Sequence, residues 1–378
     1  MPNLSVIQAA LDRAVTAGVF PGAVLAVRCG NRPVSRVHAG HLSTVPPGSP
    51  VSPSTIYDLA SLTKPLATVT ALVLLMQKGR CQLDDSVADY LPECVDTFIG
   101  SATIRHILTH SSGLPGWRGF YEQLRPDGAI PSSAGEREQA KRAMLRLIQS
   151  ETPVYERGTR SLYSDLGFML LGFIIERISG QSMSEYFLDH IVYPLGEPQI
   201  GFILPGQHRA FSNSLDADMG GVAPTEIDQW RGHLLCGEVH DQNAAALGGE
   251  AGHAGLFGTV DAVLAISGEW LGAYLGRVTI LDRGMVHEFT RRQKLERSSS
   301  WALGWDTPSV PSSAGCHFAA QSFGHLGYTG TSLWIDPVRE LEVVLLSNRV
   351  HPSNKNEAIR EFRPAIHDLV YQEFIGSI

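Results

Sequence analysis

Leu4, Ile7, Leu11 and Val15 recur at helical spacing and predict an amphipathic first helix that stops at Gly18. Two short β-like runs follow, Gly22 to Arg28 and Pro33 to His38, with Cys29 to Arg32 as the hairpin turn between them. Ser43 to Ser54 is rich in Pro, Ser and Gly and reads as a loop. From Ser61 to about Glu250 the period becomes mostly helical, with helices expected at 61–78, 103–110, 135–150, 164–179 and 182–192. A further helix is expected at 261–276, strand-like runs at 301–305, 321–327, 331–336 and 340–347, and a last helix at about 355–374. β-rich pieces thus lie at both ends with a helical block between them. The simplest architecture is α+β, a mainly antiparallel sheet flanked by N- and C-terminal helices with an inserted all-helical region. The expected division is a discontinuous sheet domain, 1–58 and 251–378, and a mainly helical domain, 59–250, that carries Ser61.

Composition narrows the function without naming it. A chain of 378 residues, 43% hydrophobic and 18% charged, is of ordinary globular make-up with ample core. The net charge of −8 and the lack of a Lys/Arg-rich run argue against a nucleic-acid partner. No uncharged apolar run reaches the roughly 18 residues of a membrane span. The N-terminal stretch carries Asp12 and Arg13 and resembles a helix more than a signal peptide. A cytoplasmic location is expected, or a periplasmic one if a leader was removed. Five scattered cysteines with no C-x-x-C pair suggest neither a disulfide framework nor a zinc knuckle. Oligomeric state is not legible.

Candidate chemistry begins at Ser61-Leu62-Thr63-Lys64, which opens an uncharged segment from Pro65 to Met76. A helix apolar all round is normally buried, and residues three apart share a face. Ser61 can therefore touch a buried Lys64, whose charged form burial disfavours, and a partly neutral amine can take a hydroxyl proton. The competing reading is a capping serine with a snorkelling lysine. The loop 112–134 is too long for an idle connector, and its aromatics Trp117 and Tyr121 suit a pocket wall, or packing beneath the loop. Loops 112–134 and 200–247 are expected to shape the pocket. His233, His240, Asp241 and His253 lack metal-ligand spacing, and His287-Glu288 lacks the second histidine of a zinc helix, so no metal is expected. No phosphate- or dinucleotide-binding pattern appears, and no cofactor is expected.

Two further clusters complete a pattern. They are Tyr163-Ser164-Asp165 before an apolar helix, and Gly324-His325-Leu326-Gly327-Tyr328-Thr329-Gly330 near the C-terminus. Alone, Tyr163 would be a core tyrosine, Asp165 a helix cap, and the glycines a bulge. In order with Ser61-x-x-Lys64, and with Ile107 to Pro115 and Gly252 to Phe257 around them, the chain resembles the serine β-lactamase and penicillin-binding superfamily. Within it, the resemblance runs to class C β-lactamases, family VIII carboxylesterases and D-aminopeptidases. It implies a β-lactamase/transpeptidase-like fold, with Ser61 as acyl-forming nucleophile, Lys64 as its proton acceptor or tuner, and Tyr163 as second base. It also implies an oxyanion hole from the backbone N–H groups of Ser61 and Tyr328, with Gly327 giving substrate a close backbone approach. The substrate would be a small ester, amide or β-lactam.

Two departures shape the expectation. His325 stands where the family's β-lactamases carry lysine, which removes a fixed cation for a substrate carboxylate and points to esters or amides. Asp165 stands in the usual asparagine position, where it raises the Lys64 pKa, binds a substrate amine, or caps the next helix and points away. The expected activity is a carboxylesterase with weak or no β-lactamase activity. A D-aminopeptidase, DD-peptidase or β-lactamase is the alternative, and a non-catalytic penicillin-binding-like sensor is the reading from another class.

Overall fold

The computed structural model describes residues 2–45, 48–196, 198–205, 221–293, 295 and 299–376. Its main sheet draws strands from both ends of the chain. These are β1 (Gly22–Cys29), β2 (Ser35–Gly40), β6 (Phe323–Leu326), β7 (Ser332–Asp336) and β8 (Leu341–Ser347), in the order β2-β1-β8-β7-β6. Every pairing is antiparallel, with β1 and β8 in register from Ala23 opposite Ser347 to Cys29 opposite Leu341.

Successive residues of a strand face opposite sides, and in β1 both sides are covered. Leu25 and Val27 join one core cluster with Ile7, Leu11, Ile366 and Val370. Those partners come from the terminal helices α1 (Leu4–Thr16) and α6 (Ile359–Ile375). Val24 and Ala26 face the other core, which includes Val263, Leu264 and Trp270 of α5 (Val260–Tyr274). Burial on both faces explains why β1 and β8 read as nearly unbroken apolar runs.

The helical part is built around the Ser61 segment and α4 (Asp165–Ser179), with α3 (Ala134–Gln149) outside it. A small second sheet joins β3 (Tyr57–Asp58), β5 (Leu256–Gly258) and β4 (Ile200–Phe202), with β5 central. This sheet ties the entry to the Ser61 segment to the chain after Gly252.

The α+β expectation holds, with local corrections. The expected helix 61–78 is three pieces, a 3-10 turn Ala60–Leu62, a π-helical stretch Lys64–Val69, and α2, Thr70–Gln77. Pro65 supplies no N–H, and the Thr70 hydroxyl donates to the Pro65 carbonyl at 3.0 Å, so regular α-helical bonding begins only beyond it. Ala60–Gln77 is apolar and long enough to cross a membrane, but 89% of it lies inside the molecule, as a core helix does. The expected strand 301–305 is a turn closed by one bridge between Trp301 and Asp306, with Gly304 in it at φ +79. Parts of the expected loops 43–54 and 200–247, residues 46–47 and 206–220, lie outside the described residues.

Candidate active site

The chain enters the site through a strained turn. Ala60 holds φ +47, a left-handed conformation that costs a non-glycine residue about 1–2 kcal/mol. Asp58 holds it there, one carboxylate oxygen accepting from Ala60 N–H at 2.8 Å and the other from His240 N–H at 2.7 Å. Leu59 N–H donates to the Leu256 carbonyl at 2.8 Å, so the small sheet runs up to the residue before the turn. Ser61 follows on the 3-10 turn, where backbone N–H groups lack helical partners.

Lys64 is completely buried beneath Ser61. Its three N–H bonds go to Ser61 Oγ at 3.0 Å, Asp165 Oδ1 at 2.6 Å and the His253 carbonyl at 3.2 Å. Burial pulls the amine pKa down, but Asp165 and Tyr163 together outweigh it and the net shift is upward. The expectation of a partly neutral amine is therefore corrected: Lys64 rests as an ammonium in an ion pair. Asp165 does not cap its helix either. Ser164 is the N-cap, accepting from Gly167 N–H at 3.4 Å, which leaves the Asp165 side chain to turn toward Lys64.

Tyr163 completes this group, its phenol interacting with the side chains of both Lys64 and Ser61. The Lys64 ammonium lies 4.8 Å from its ring centre. Burial pushes the phenol pKa up, the ammonium pulls it back, and the net direction is upward. His110 and Trp301 flank the ring at 4.6 and 5.5 Å. His110 is buried, at φ +55, and its Nδ1 accepts from Ser164 N–H at 3.1 Å. That bond fixes the backbone between Tyr163 and Asp165.

The third segment is stitched directly to the first. Thr329 Oγ1 donates to the Asp58 carbonyl at 2.7 Å and Thr331 Oγ1 to the Leu59 carbonyl at 3.1 Å. Gly327 N–H closes the turn onto the Thr331 carbonyl at 2.7 Å. A Cβ at residue 327 would lie 2.6 Å from the Leu59 carbonyl and collide with Thr331 Oγ1. Glycine is needed there on internal grounds, since it lets two chain segments touch, and it also lies on the wall of a cavity shared with Ser61. Among the described residues the Tyr328 N–H has no acceptor, while its carbonyl receives Arg349 Nε at 2.8 Å.

His325 is buried, and burial pushes its pKa down to about 3. Its Nδ1 lies 2.7 Å from the Leu326 carbonyl, which can only accept, so Nδ1 carries the proton. Nε2 is then a bare acceptor, without a partner among the described residues. Lysine would place a cation here; His325 places a neutral lone pair.

A cavity of 730 Å³ gathers Ser61, Tyr163, Asp165, His325, Gly327, Tyr328, Trp117 and Tyr121 on its walls. Trp117 and Tyr121 sit 6.4 Å apart and both line the cavity, with Tyr121 also packed edge-on against Trp230 at 4.9 Å. Asp241, Trp301, Asp306, Arg349 and Arg363 also line it and were not anticipated as site residues. Arg363 is almost wholly buried in the apolar face of α6, and burial lowers its pKa to about 9. It donates to the carbonyls of Gly327 at 2.6 Å and Thr331 at 2.8 Å, with no carboxylate partner among the described residues. An arginine among Ile359, Ile366 and Val370 was the available signal. The histidines set aside as metal ligands pair separately: His233 with Glu238, His240 with Glu226 and His253 with Asp241, each at 2.8 Å.

The whole chain bears the stamp of one known group. A family model described as Beta-lactamase matches residues 7–365. A "Putative D-alanyl-D-alanine carboxypeptidase" of Escherichia coli (strain K12) is 33% identical over 314 residues, 79% of this chain and 70% of the relative. The chain belongs to the beta-lactamase family. It is accordingly a serine hydrolase. Solved structures agree on the fold. EstCE1, described as a hydrolase with promiscuous acyltransferase activity, superposes with a TM-score of 0.73 at 22% identity, covering 97% of this chain and 98% of that one. The octameric penicillin-binding protein homologue from Pyrococcus abyssi gives a TM-score of 0.72 at 21% identity, covering 99% and 78%.

Proposed function

We propose that this beta-lactamase family member hydrolyses small esters or amides through a serine ester on Ser61. The observation that carries the proposal is Lys64 Nζ at 3.0 Å from Ser61 Oγ, with the Tyr163 phenol interacting with both side chains and Ser61, Tyr163, Gly327 and Tyr328 lining one cavity. Tyr163 is assigned as the base. Lys64 spends all three N–H bonds as an ammonium and holds no lone pair for the serine proton. Its charge instead stabilises the phenolate that must form.

In the assigned cycle Tyr163 first gives up its phenol proton to solvent; Ser61 Oγ then attacks the carbonyl carbon while its own proton passes to the Tyr163 phenolate. The oxyanion is met by the N–H groups of Ser61 and Tyr328. Tyr163 then returns the proton to the departing alcohol or amine, leaving an ester on Ser61. Water, deprotonated in turn by Tyr163, releases the acid and restores the serine. Trp117 and Tyr121 are assigned to the wall that receives the apolar part of the substrate.

The neutral His325 favours ester and amide substrates over β-lactams. EstCE1, a hydrolase with promiscuous acyltransferase activity, shares this fold, which is in keeping with acyl transfer to water through a serine ester. A second reading rests on Arg363. An arginine without a carboxylate partner on the cavity wall suits a substrate with a free carboxylate, as in the carboxypeptidase activity that names the Escherichia coli relative.

The deciding experiment compares a p-nitrophenyl short-chain ester, nitrocefin and a peptide ending in D-alanyl-D-alanine on the same enzyme. Ester turnover that is highest of the three and abolished by Ser61→Ala supports the primary reading. Preferential cleavage of the peptide favours the second. Stoichiometric labelling of Ser61 by a fluorophosphonate, with no turnover of any substrate, would leave a binding or sensor protein and end both.

A further inference from the structure

Away from the cavity, Cys316, His317 and Asp368 bring a sulfur, a ring nitrogen and a carboxylate oxygen within 4.8 Å of one another. We propose that this trio is a binding site for a zinc-class divalent cation, clamping the turn at 312–317 to α6.

The trio is held by its surroundings before any cation arrives. Cys316 N–H donates to Asp368 Oδ1 at 2.7 Å, and its Sγ lies 3.2 Å from Asp368 Oδ2. The neighbouring His367 donates from Nδ1 to the Ser313 carbonyl at 2.8 Å, so successive residues of α6 grip both ends of the turn. Gly315, at φ +84, allows this approach, since a Cβ there would reach 3.0 Å from the Pro364 carbonyl and strike Asp368. His317 stacks nearly parallel on Tyr371, ring centres 5.3 Å apart, which restricts its plane. Among the described residues neither of its ring nitrogens has a hydrogen-bond partner.

The donor set selects the metal. Thiolate plus imidazole disfavours magnesium and calcium, whereas sulfur, nitrogen and oxygen together suit zinc or cobalt(II). Around such an ion, tetrahedral ligand atoms sit roughly 3.3–3.8 Å apart, close to the present sulfur–oxygen separation. Three protein ligands leave a fourth position for water. Binding exchanges the thiol proton for the cation: the S–H proton goes to solvent and a metal–sulfur bond forms. Asp368, which raises the thiol pKa in the free protein, then serves as a ligand.

Cobalt(II) titrated into the full chain tests this, because a cobalt–thiolate bond gives a charge-transfer absorption. Cys29, Cys81 and Cys94 are buried and Cys236 is half-buried, so the band reports chiefly on Cys316. We expect one equivalent to bind, displacement by zinc, loss of the band in Cys316→Ser, and at least tenfold weaker binding in His317→Ala. Zinc should raise the thermal midpoint of the wild type and leave that of Cys316→Ser unmoved. No band, or wild-type affinity retained in His317→Ala (an adventitious thiol contact), overturns the proposal. Both substitutions lie on the surface turn, and ester hydrolysis serves as a check that each variant is folded.

Discussion

Lys64 Nζ lies closer to Asp165 Oδ1, at 2.6 Å, than to Ser61 Oγ, at 3.0 Å. The amine beneath the nucleophile is therefore first the partner of a carboxylate. That ordering raises the Lys64 pKa against the pull of burial, and Asp165 also raises that of Tyr163.

Asp165→Asn should move the acid limb of the kcat/KM profile to lower pH by at least about one unit. The sign follows from the ion pair. With the carboxylate gone, burial lowers the Lys64 pKa against the weaker opposing pull of Tyr163, while Tyr163 loses a neighbouring anion that disfavours the phenolate. Either group then accepts the Ser61 proton at lower pH. A limb that stays in place would show that this pair does not set the ionisation on which turnover depends.

His325→Lys should increase acylation by nitrocefin about tenfold near pH 7, with little change for a neutral ester. The substitution replaces a neutral acceptor by a donor cation that can meet the β-lactam carboxylate. Lys64 and Arg363 both repel positive charge at this position, so the new amine should have a lowered pKa. The gain should fade as pH rises through it. Stopped-flow acylation rates across pH 6–9 provide the check, and a flat response at every pH rules the idea out.

Gly327→Ala tests the stitch between the first and third segments. The added methyl meets the Leu59 carbonyl and Thr331 Oγ1 with no flexible side-chain end to yield. A loss of roughly 1–3 kcal/mol in stability is expected, together with most of the ester activity, because the Tyr328 N–H shifts with the turn. Adding Thr331→Ala removes one of the two obstructions and should restore part of the stability. A single variant with the wild type's thermal midpoint and kcat would sink this account.

Legibility in the sequence tracked how local each cause was. Lys64 stood out because thirteen uncharged residues follow it, Pro65 to Gln77, and a buried lysine needs a reason. β1 and β8 were readable because burial on both faces leaves an apolar run in the sequence itself. Asp58, His110 and Arg363 were not assigned to the site, for the opposite reason. Their partners, His240, Ser164 and the Gly327 carbonyl, are brought to them by the fold, and nothing nearby in the chain announces them. Asp165 was legible only as a set of alternatives, of which the partner of Lys64 is the one the structure shows. Its position suits a cap, but Ser164 one residue earlier takes that role, and only the tertiary packing turns the carboxylate toward Lys64.

Buried neutral histidines should make the fold acid-sensitive. His367 is held at about 4 and His325 at about 3 by burial, against an unfolded value of about 6.5. Below pH 6.5 the unfolded chain takes up protons that the folded one refuses. Stability is thus fully present above pH 6.5 and falls progressively down to about pH 4 for His367. Thermal midpoints measured from pH 7 to 4 should drop, and His367→Gln should flatten part of that slope. An equal slope in both proteins would contradict the assignment.

Arg363→Lys separates the two substrate readings. Arginine donates through a planar fork, so lysine can keep one contact to the Gly327 or Thr331 carbonyl but not the same reach toward the cavity. If Arg363 recognises a substrate carboxylate, the wild type should cleave a peptide ending in free D-alanyl-D-alanine at least tenfold better, by kcat/KM, than the same peptide ending in an amide. The variant should lose that preference chiefly through a higher KM for the acid. If Arg363 only braces the turn, both peptides and the ester should fall together in kcat. The ratio of acid to amide is the informative quantity, since a folding defect or a displaced Tyr328 N–H lowers both rates and leaves it unchanged.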